Sequence, residues 1–362
     1  MKSIRPILLL LALGADAQQR PAPTVSPEVA PDRRVTFRLK APNAKEVRMN
    51  SDFGPTLQLS KDESGVWSVT TPPLAPDLYW YVFIVDGQGF ADPSNPRIKT
   101  QSARGPENLV AVPGDTPQPW FERDVAHGAI HEHWYKSAAV GTLRNVLVYT
   151  PPGYNQNPQA RYPVLYLLHG MGDDARSWTM VGRAHVILDN LIAEKKALPM
   201  VIAMPDGMMP RGAAGGGGDQ LFERDLLNDV KPLVESEYRV SVAREDRAIA
   251  GLSMGGGQAM SVALQHPELF AYVGIFSSGT MASGGVDRFA GILADPEKAN
   301  RQFRVLYLSC GLEDSRIEGT RKVDAALTAK GVHHIFKAEP GGHAFIGWRR
   351  DLTVFAPFLF RK

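Results

Sequence analysis

The chain has 362 residues, 44% of them hydrophobic and 22% charged, a soluble-globular balance with length enough for two domains. Its net charge of +2 gives no case for a nucleic-acid or membrane-surface partner. The single cysteine, Cys310, excludes an internal disulfide and any cysteine-based zinc cluster.

Residues 1–17 read as a signal peptide. Lys2 and Arg5 precede an apolar run at 7–13, and Ala15-Asp16-Ala17 fits the small-x-small rule, which predicts cleavage after Ala17 and a secreted or periplasmic protein. The run is too short to span a bilayer. Residues 18–31, rich in proline, read as a flexible leader.

Residues 32–113 read as all-β. The stretch 35–39 alternates apolar and polar side chains, and 47–49, 57–59, 66–69 and 78–85 are further short strands between turn signals, the last running into Asp86-Gly87. Such spacing predicts a sandwich. Phe37-Arg38-Leu39-Lys40-Ala41-Pro42-Asn43-Ala44, Gly65-Val66-Trp67, Tyr79-Trp80-Tyr81 and Asp92-Pro93-Ser94-Asn95-Pro96 resemble the early-set, glycogen-binding-type immunoglobulin-like modules that precede branching enzymes, isoamylases and some bacterial esterases. The resemblance implies a possible carbohydrate contact. On an alternating strand Tyr79, Tyr81 and Phe83 share one face and Trp80, Val82 and Ile84 the other, and burial plus packing on the following domain is the favoured use of these aromatics.

Residues 114–134 read as a linker, stiffened by Pro117 and Pro119. His127, His131 and His133 crowd there without a convincing metal-ligand spacing and read as surface histidines.

From 135 to 362 strands and helices alternate, the pattern of a doubly wound, mostly parallel α/β sheet. Strands are expected at 144–150, 162–168, 200–204, 246–250, 272–276, 303–308 and 334–337, and helices at 186–196, 221–238 with Pro232 as an irregularity, 258–265, 320–330 and 347–360. The glycine-rich stretch 212–218 is no phosphate loop, since no Lys-Ser/Thr follows.

Gly251-Leu252-Ser253-Met254-Gly255 fits G-x-S-x-G between a strand and a helix. Such a turn raises the Ser253 hydroxyl above the sheet and leaves the Met254 N–H at a helix start, where unpaired donors favour an anion. A serine needs a base, and the base an orienting acid, in the chain order Ser, acid, His. Asp314, with Glu313 as runner-up, follows the strand at 303–308, and His343 follows the next strand in a glycine-rich loop. His333 and His334 stand at the wrong end of their strand. The second oxyanion donor should come from His169-Gly170-Met171, with Met171 first and Gly170 next, and His169 holding the loop.

With Leu167-Leu168-His169-Gly170, Ala203-Met204-Pro205-Asp206-Gly207, Cys310-Gly311-Leu312-Glu313-Asp314 and Gly341-Gly342-His343, this elbow resembles the esterase D family, which includes carbohydrate esterase family 1 feruloyl and acetylxylan esterases, enterochelin esterase-like proteins and mycolyl transferases. The resemblance implies an α/β-hydrolase fold, a Ser253–His343–Asp314 triad, Met171 and Met254 as oxyanion amides, and Trp178 and Gly170 near the substrate. It implies no cofactor and no metal. The expected activity is hydrolysis of feruloyl or acetyl esters on plant polysaccharide, with siderophore or small acyl esters as the alternative. A non-catalytic carbohydrate-binding protein is the reading from another class. Few side chains stand at 212–218, where relatives often place substrate contacts, so the substrate stays open.

Overall fold

A computed structural model describes residues 24–99, 105–210, 218–278 and 285–361. The expected signal peptide at 1–17, the first residues of the expected leader (18–23) and the glycine-rich stretch, except Gly218, lie outside them. The principal strands of the N-terminal part are β1 (Val35–Lys40), β2 (Val47–Ser51), β3 (Val66–Thr70), β4 (Asp77–Val85) and β5 (Glu107–Val112). They belong to two antiparallel sheets, with β1 and β3 paired in one and β2, β4 and β5 in the other. Alternation decides which side chains meet between them. Phe37 and Leu39 from one sheet pack against Met49, Tyr79, Tyr81 and Phe83 from the other. Asp86 and Gly87 both take positive φ, the requirement of a tight hairpin turn after β4. The strand β5 is an addition to the expected set.

The opposite face of β4 is not solvent. Leu78 and Leu109 are buried in the same apolar cluster as Trp120, Val181 and Trp348 from the following part of the chain, with Trp80 packed against it. Arg349, fully buried, ties the two parts together. Its guanidinium donates to Asp77 Oδ1 (2.7 Å), to the Leu78 carbonyl (2.7 Å) and to the Val181 carbonyl (2.9 Å).

An eight-stranded sheet follows among the described residues. Its strands are β6 (Ala129–Lys136), β7 (Leu143–Thr150), β8 (Val164–Leu168), β9 (Val201–Pro205), β10 (Arg247–Leu252), β11 (Tyr272–Phe276), β12 (Val305–Gly311) and β13 (Ile335–Glu339), in the spatial order β6-β7-β9-β8-β10-β11-β12-β13. The β6–β7 and β7–β9 pairs are antiparallel and the rest parallel. The strands β8 to β11 are buried along their whole length, because helices cover both faces. Leu165, Leu167, Ala248 and Ala250 turn to one apolar layer, while Val164, Tyr166, Ile249 and Val273 turn to the other. The covering helices are α1 (Ala184–Ala193), α2 (Gly218–Asp225), α3 (Lys231–Glu237), α4 (Met254–Gln265), α5 (Ile317–Ala329) and α6 (Phe345–Phe355).

Three expectations need correction. Residues 24–31, read as part of a flexible leader, are tied down: Glu28–Val29 pairs antiparallel with the start of β1, and the buried Ser26 hydroxyl donates to Asp92. The residues read as a linker to 134 include most of β6, which pairs with β7 through its full length. Its sequence, Ala-Ile-His-Glu-His-Trp-Tyr-Lys, offers no apolar face, because it is the edge of the sheet and largely exposed. The three histidines separate accordingly. His127 Nδ1 lies 2.9 Å from Asp189 of α1, whereas His133 Nε2 lies 2.6 Å from the Tyr238 hydroxyl, against which His131 also packs. The long helix expected at 221–238 is two α segments joined by a π turn at Leu226–Val230. Pro232 lacks an N–H and its ring clashes with the carbonyl four residues back, which fits the local rewinding just ahead of it.

Candidate active site

The C-terminal ends of β8, β10 and β13 converge on one cavity, and the end of β12 lies behind it, bringing Asp314 to His343. Ser253 stands between β10 and α4 with φ 51° and ψ −115°, a costly conformation for a residue with a Cβ. Its own N–H donates to the Phe276 carbonyl at 2.9 Å, which holds the turn on β11. The neighbouring glycines answer a steric demand. A Cβ on Gly251 would stand 2.4 Å from the Gly255 carbonyl, and one on Gly255 would stand 2.4 Å from the His169 carbonyl. The helix can start this close to the β8 loop only without those side chains.

His343 bridges serine and acid. The Ser253 hydroxyl lies 2.9 Å from His343 Nε2, and Nδ1 lies 2.6 Å from Asp314 Oδ2. With Nδ1–H donated to the carboxylate, Nε2 is the free base facing the hydroxyl. Burial alone would raise the Asp314 carboxyl, but the His343 hydrogen bond and the Arg316 N–H on Oδ1 (3.0 Å) outweigh it and hold it below the ordinary carboxylate range. It therefore stays an anion beside the ring. Glu313, the runner-up, is exposed and accepts from the Gly341 N–H, away from the ring. The edge of Trp348 packs on the His343 ring at 4.9 Å between centroids and limits how it can turn.

Gly170 and Met171 line the same cavity as Ser253. The Met254 N–H is at the first position of α4, where no intrahelical acceptor exists. A Cβ on Gly170 would meet Leu252 at 2.7 Å and Ser253 at 3.4 Å, so the loop passes close to the hydroxyl. His169 holds that loop. The Gly207 N–H donates to Nε2 (2.8 Å), which leaves the ring proton on Nδ1 for the Gly170 carbonyl (2.9 Å).

Trp178 does not line the cavity. It is buried one layer behind, where its Nε1–H donates to the Leu168 carbonyl (2.9 Å) and its ring packs on Phe345, which does line it. From there it braces the end of β8 and Phe345 and meets no substrate directly, a correction to the expected substrate contact. Sequence reasoning missed the opposite wall. Asp52, Trp80, Lys99 and Glu107, all from the N-terminal part, line the cavity with Ser253 and His343. Trp80 on the outer face of β4 was the one visible signal. The cavity measures about 490 Å³.

The Esterase family's sequence pattern matches residues 137–359. This chain belongs to that family. Among curated esterase relatives, the endo-1,4-beta-xylanase/feruloyl esterase of Xylanibacter ruminicola is 32% identical over 349 residues, covering 92% of this chain and 46% of that protein. The chain thus spans about half the length of the curated relatives it matches. An acetyl esterase of Caldicellulosiruptor saccharolyticus is 20% identical over 52% of the chain and 80% of its own length. Among solved esterase structures, a ferulic acid esterase superposes with a TM-score of 0.57 at 26% identity, over 64% of this chain and 98% of its own. Enterochelin esterase from Shigella flexneri superposes with a TM-score of 0.70 over 93% of this chain and 95% of its own, at 18% identity, so that likeness concerns the fold.

Proposed function

We propose that this chain is an exported serine carboxylic-ester hydrolase with Ser253 as nucleophile, His343 as base and Asp314 as the orienting acid. The observation that carries the reading is the continuous Ser253–His343–Asp314 hydrogen-bond chain at 2.9 and 2.6 Å, set on a strained turn at the strand ends. Ser253 Oγ attacks the ester carbonyl as its proton passes to His343 Nε2. The oxyanion forms beside the Met254 and Met171 amides. Collapse expels the alcohol, which takes the proton from Nε2. Water then adds to the acyl-enzyme by the same route and releases the carboxylic acid. Export rests on the signal-peptide pattern at 1–17.

The acyl group best suited is an aromatic one, feruloyl rather than acetyl. A cavity of about 490 Å³ walled in part by Trp80, Phe345 and Trp348 is far larger than an acetyl group needs. The Xylanibacter relative, whose similarity extends over the N-terminal part as well, supports the same class and a plant polysaccharide as the alcohol. We read that N-terminal part as an immunoglobulin-like sandwich of the early-set type, from its two facing antiparallel sheets.

The test is hydrolysis of methyl ferulate beside p-nitrophenyl acetate by wild type and Ser253→Ala. Turnover of both esters by wild type, falling about 10⁴-fold or more in the variant, is expected. Equal turnover by the variant would remove Ser253 from the mechanism.

A further inference from the structure

The cavity in front of Ser253 is built by two parts of the chain. On one side stand Ser253, His343 and the oxyanion loop. The facing side belongs to the N-terminal sheets, with Trp80 on the outer face of β4 and Asp52 just after β2. The two are locked to each other, since the Trp80 N–H donates to Asp52 Oδ1 at 3.0 Å. Arg349 of α6 pins β4 to the hydrolase sheet within a few residues of Trp80, so this wall is fixed in place.

The charged groups of this wall are not equivalent. Lys99 is engaged by Asp173 and lies 3.9 Å from Glu107, with its ammonium over the Phe345 ring at 5.6 Å. Asp52 forms no ion pair among the described residues, and its carboxyl accepts from backbone N–H groups alone, that of Trp80 on Oδ1. A carboxyl group with spare hydrogen-bonding capacity, set in an aromatic-walled cavity, suits a ligand that is flat and apolar along its body and carries a hydroxyl at its end.

We propose that Asp52 is a specificity-determining residue of the active site. It hydrogen-bonds a phenolic hydroxyl at the end of an aromatic acyl group remote from the ester, while Trp80 packs on the ring. The N-terminal part is then a working wall of the acyl pocket. This rests on the serine-esterase reading above and names the acyl class: hydroxylated aromatic acids, in preference to their fully alkylated counterparts. Burial lifts the Asp52 carboxyl to about 7, with Asp77 adding to the rise and Arg349 and the Trp80 N–H opposing it. Its ionised form accepts from a phenol, whereas an aryl methyl ether has no proton to offer it.

The experiment measures kcat/KM on methyl ferulate and on methyl 3,4-dimethoxycinnamate, which lacks the hydroxyl, with the full chain. Wild type is expected to prefer ferulate by at least about tenfold, the scale of one buried hydrogen bond. Asp52→Ala and the near-isosteric Asp52→Leu are expected to bring the ratio close to one, and Asp52→Asn, which keeps an amide to pair with the hydroxyl, to retain most of it. Two apolar variants guard against one of them failing to fold. An unchanged ratio in whichever folds overturns the proposal, and so does a wild type that favours the dimethoxy ester. A wild type that cleaves p-nitrophenyl acetate through Ser253 but neither cinnamate also overturns it, while leaving the serine-esterase reading standing.

Discussion

Asp314 and Glu313 are adjacent in sequence and opposite in situation. Asp314 is buried with one oxygen on His343 Nδ1 and the other on a backbone amide, whereas Glu313 is exposed and bonded to the loop backbone. Replacing Asp314 by Asn keeps the shape but offers Nδ1 a group that can turn its donor to the ring and hold the wrong tautomer. Its kcat is expected to fall by about 10⁴. Glu313→Gln should cost no more than about tenfold, since it alters one exposed hydrogen bond. Steady-state kinetics on p-nitrophenyl acetate separates the two, and a larger loss in Glu313→Gln would reverse the assignment. These residues were legible in the sequence because each follows a recognisable strand in a fixed chain order. Trp178 was legible as an aromatic near the site but not as a buried one, since one layer of depth leaves no mark on the sequence. Asp52 was not legible, because it follows a short strand in a part of the chain far from Ser253 and meets the cavity only through folding.

At the scale of elements, most strands were readable from apolar runs, and β11 at Tyr272–Phe276 coincides with its expected bounds. The exception in the hydrolase sheet is β6, whose polar edge position removes the apolar signal on which such readings depend. The attachment of α6 to β4 was equally silent. Arg349 looks like one more basic residue of a terminal helix, yet it is fully buried and shares Asp77 with Arg350, which approaches Oδ2 at 3.6 Å. Arg349→Leu would leave Asp77 buried without its main partner, and should destabilise the chain by about 3–5 kcal/mol in urea denaturation. Adding Asp77→Asn should recover part of that loss, because the stranded charge is then gone. A double variant no more stable than the single one would mean that the packing of the arginine, and not its charge, is what matters.

For the whole molecule, the division into an all-β part and an α/β part was readable from composition and periodicity, but the placement of one on the other was not. That placement decides the active site. The apolar layer that receives Leu78 and Leu109 is continuous with the one beneath β8 and β10. Two parts sharing a core should melt together, so calorimetry of the full chain should give one cooperative transition. Two well-separated transitions would show that the N-terminal part lets go before the hydrolase sheet unfolds, and would weaken its role as a pocket wall.

The central claim is that Ser253 carries the acyl group. Diethyl p-nitrophenyl phosphate transfers its phosphoryl group to an activated serine and releases p-nitrophenol, so peptide mass spectrometry after its reaction locates the nucleophile directly. One diethylphosphoryl group on the peptide containing Ser253, gained in step with the loss of esterase activity and absent in His343→Ala, is the predicted result. Labelling of another residue in step with inactivation, or full esterase activity with Ser253 labelled, would contradict the account.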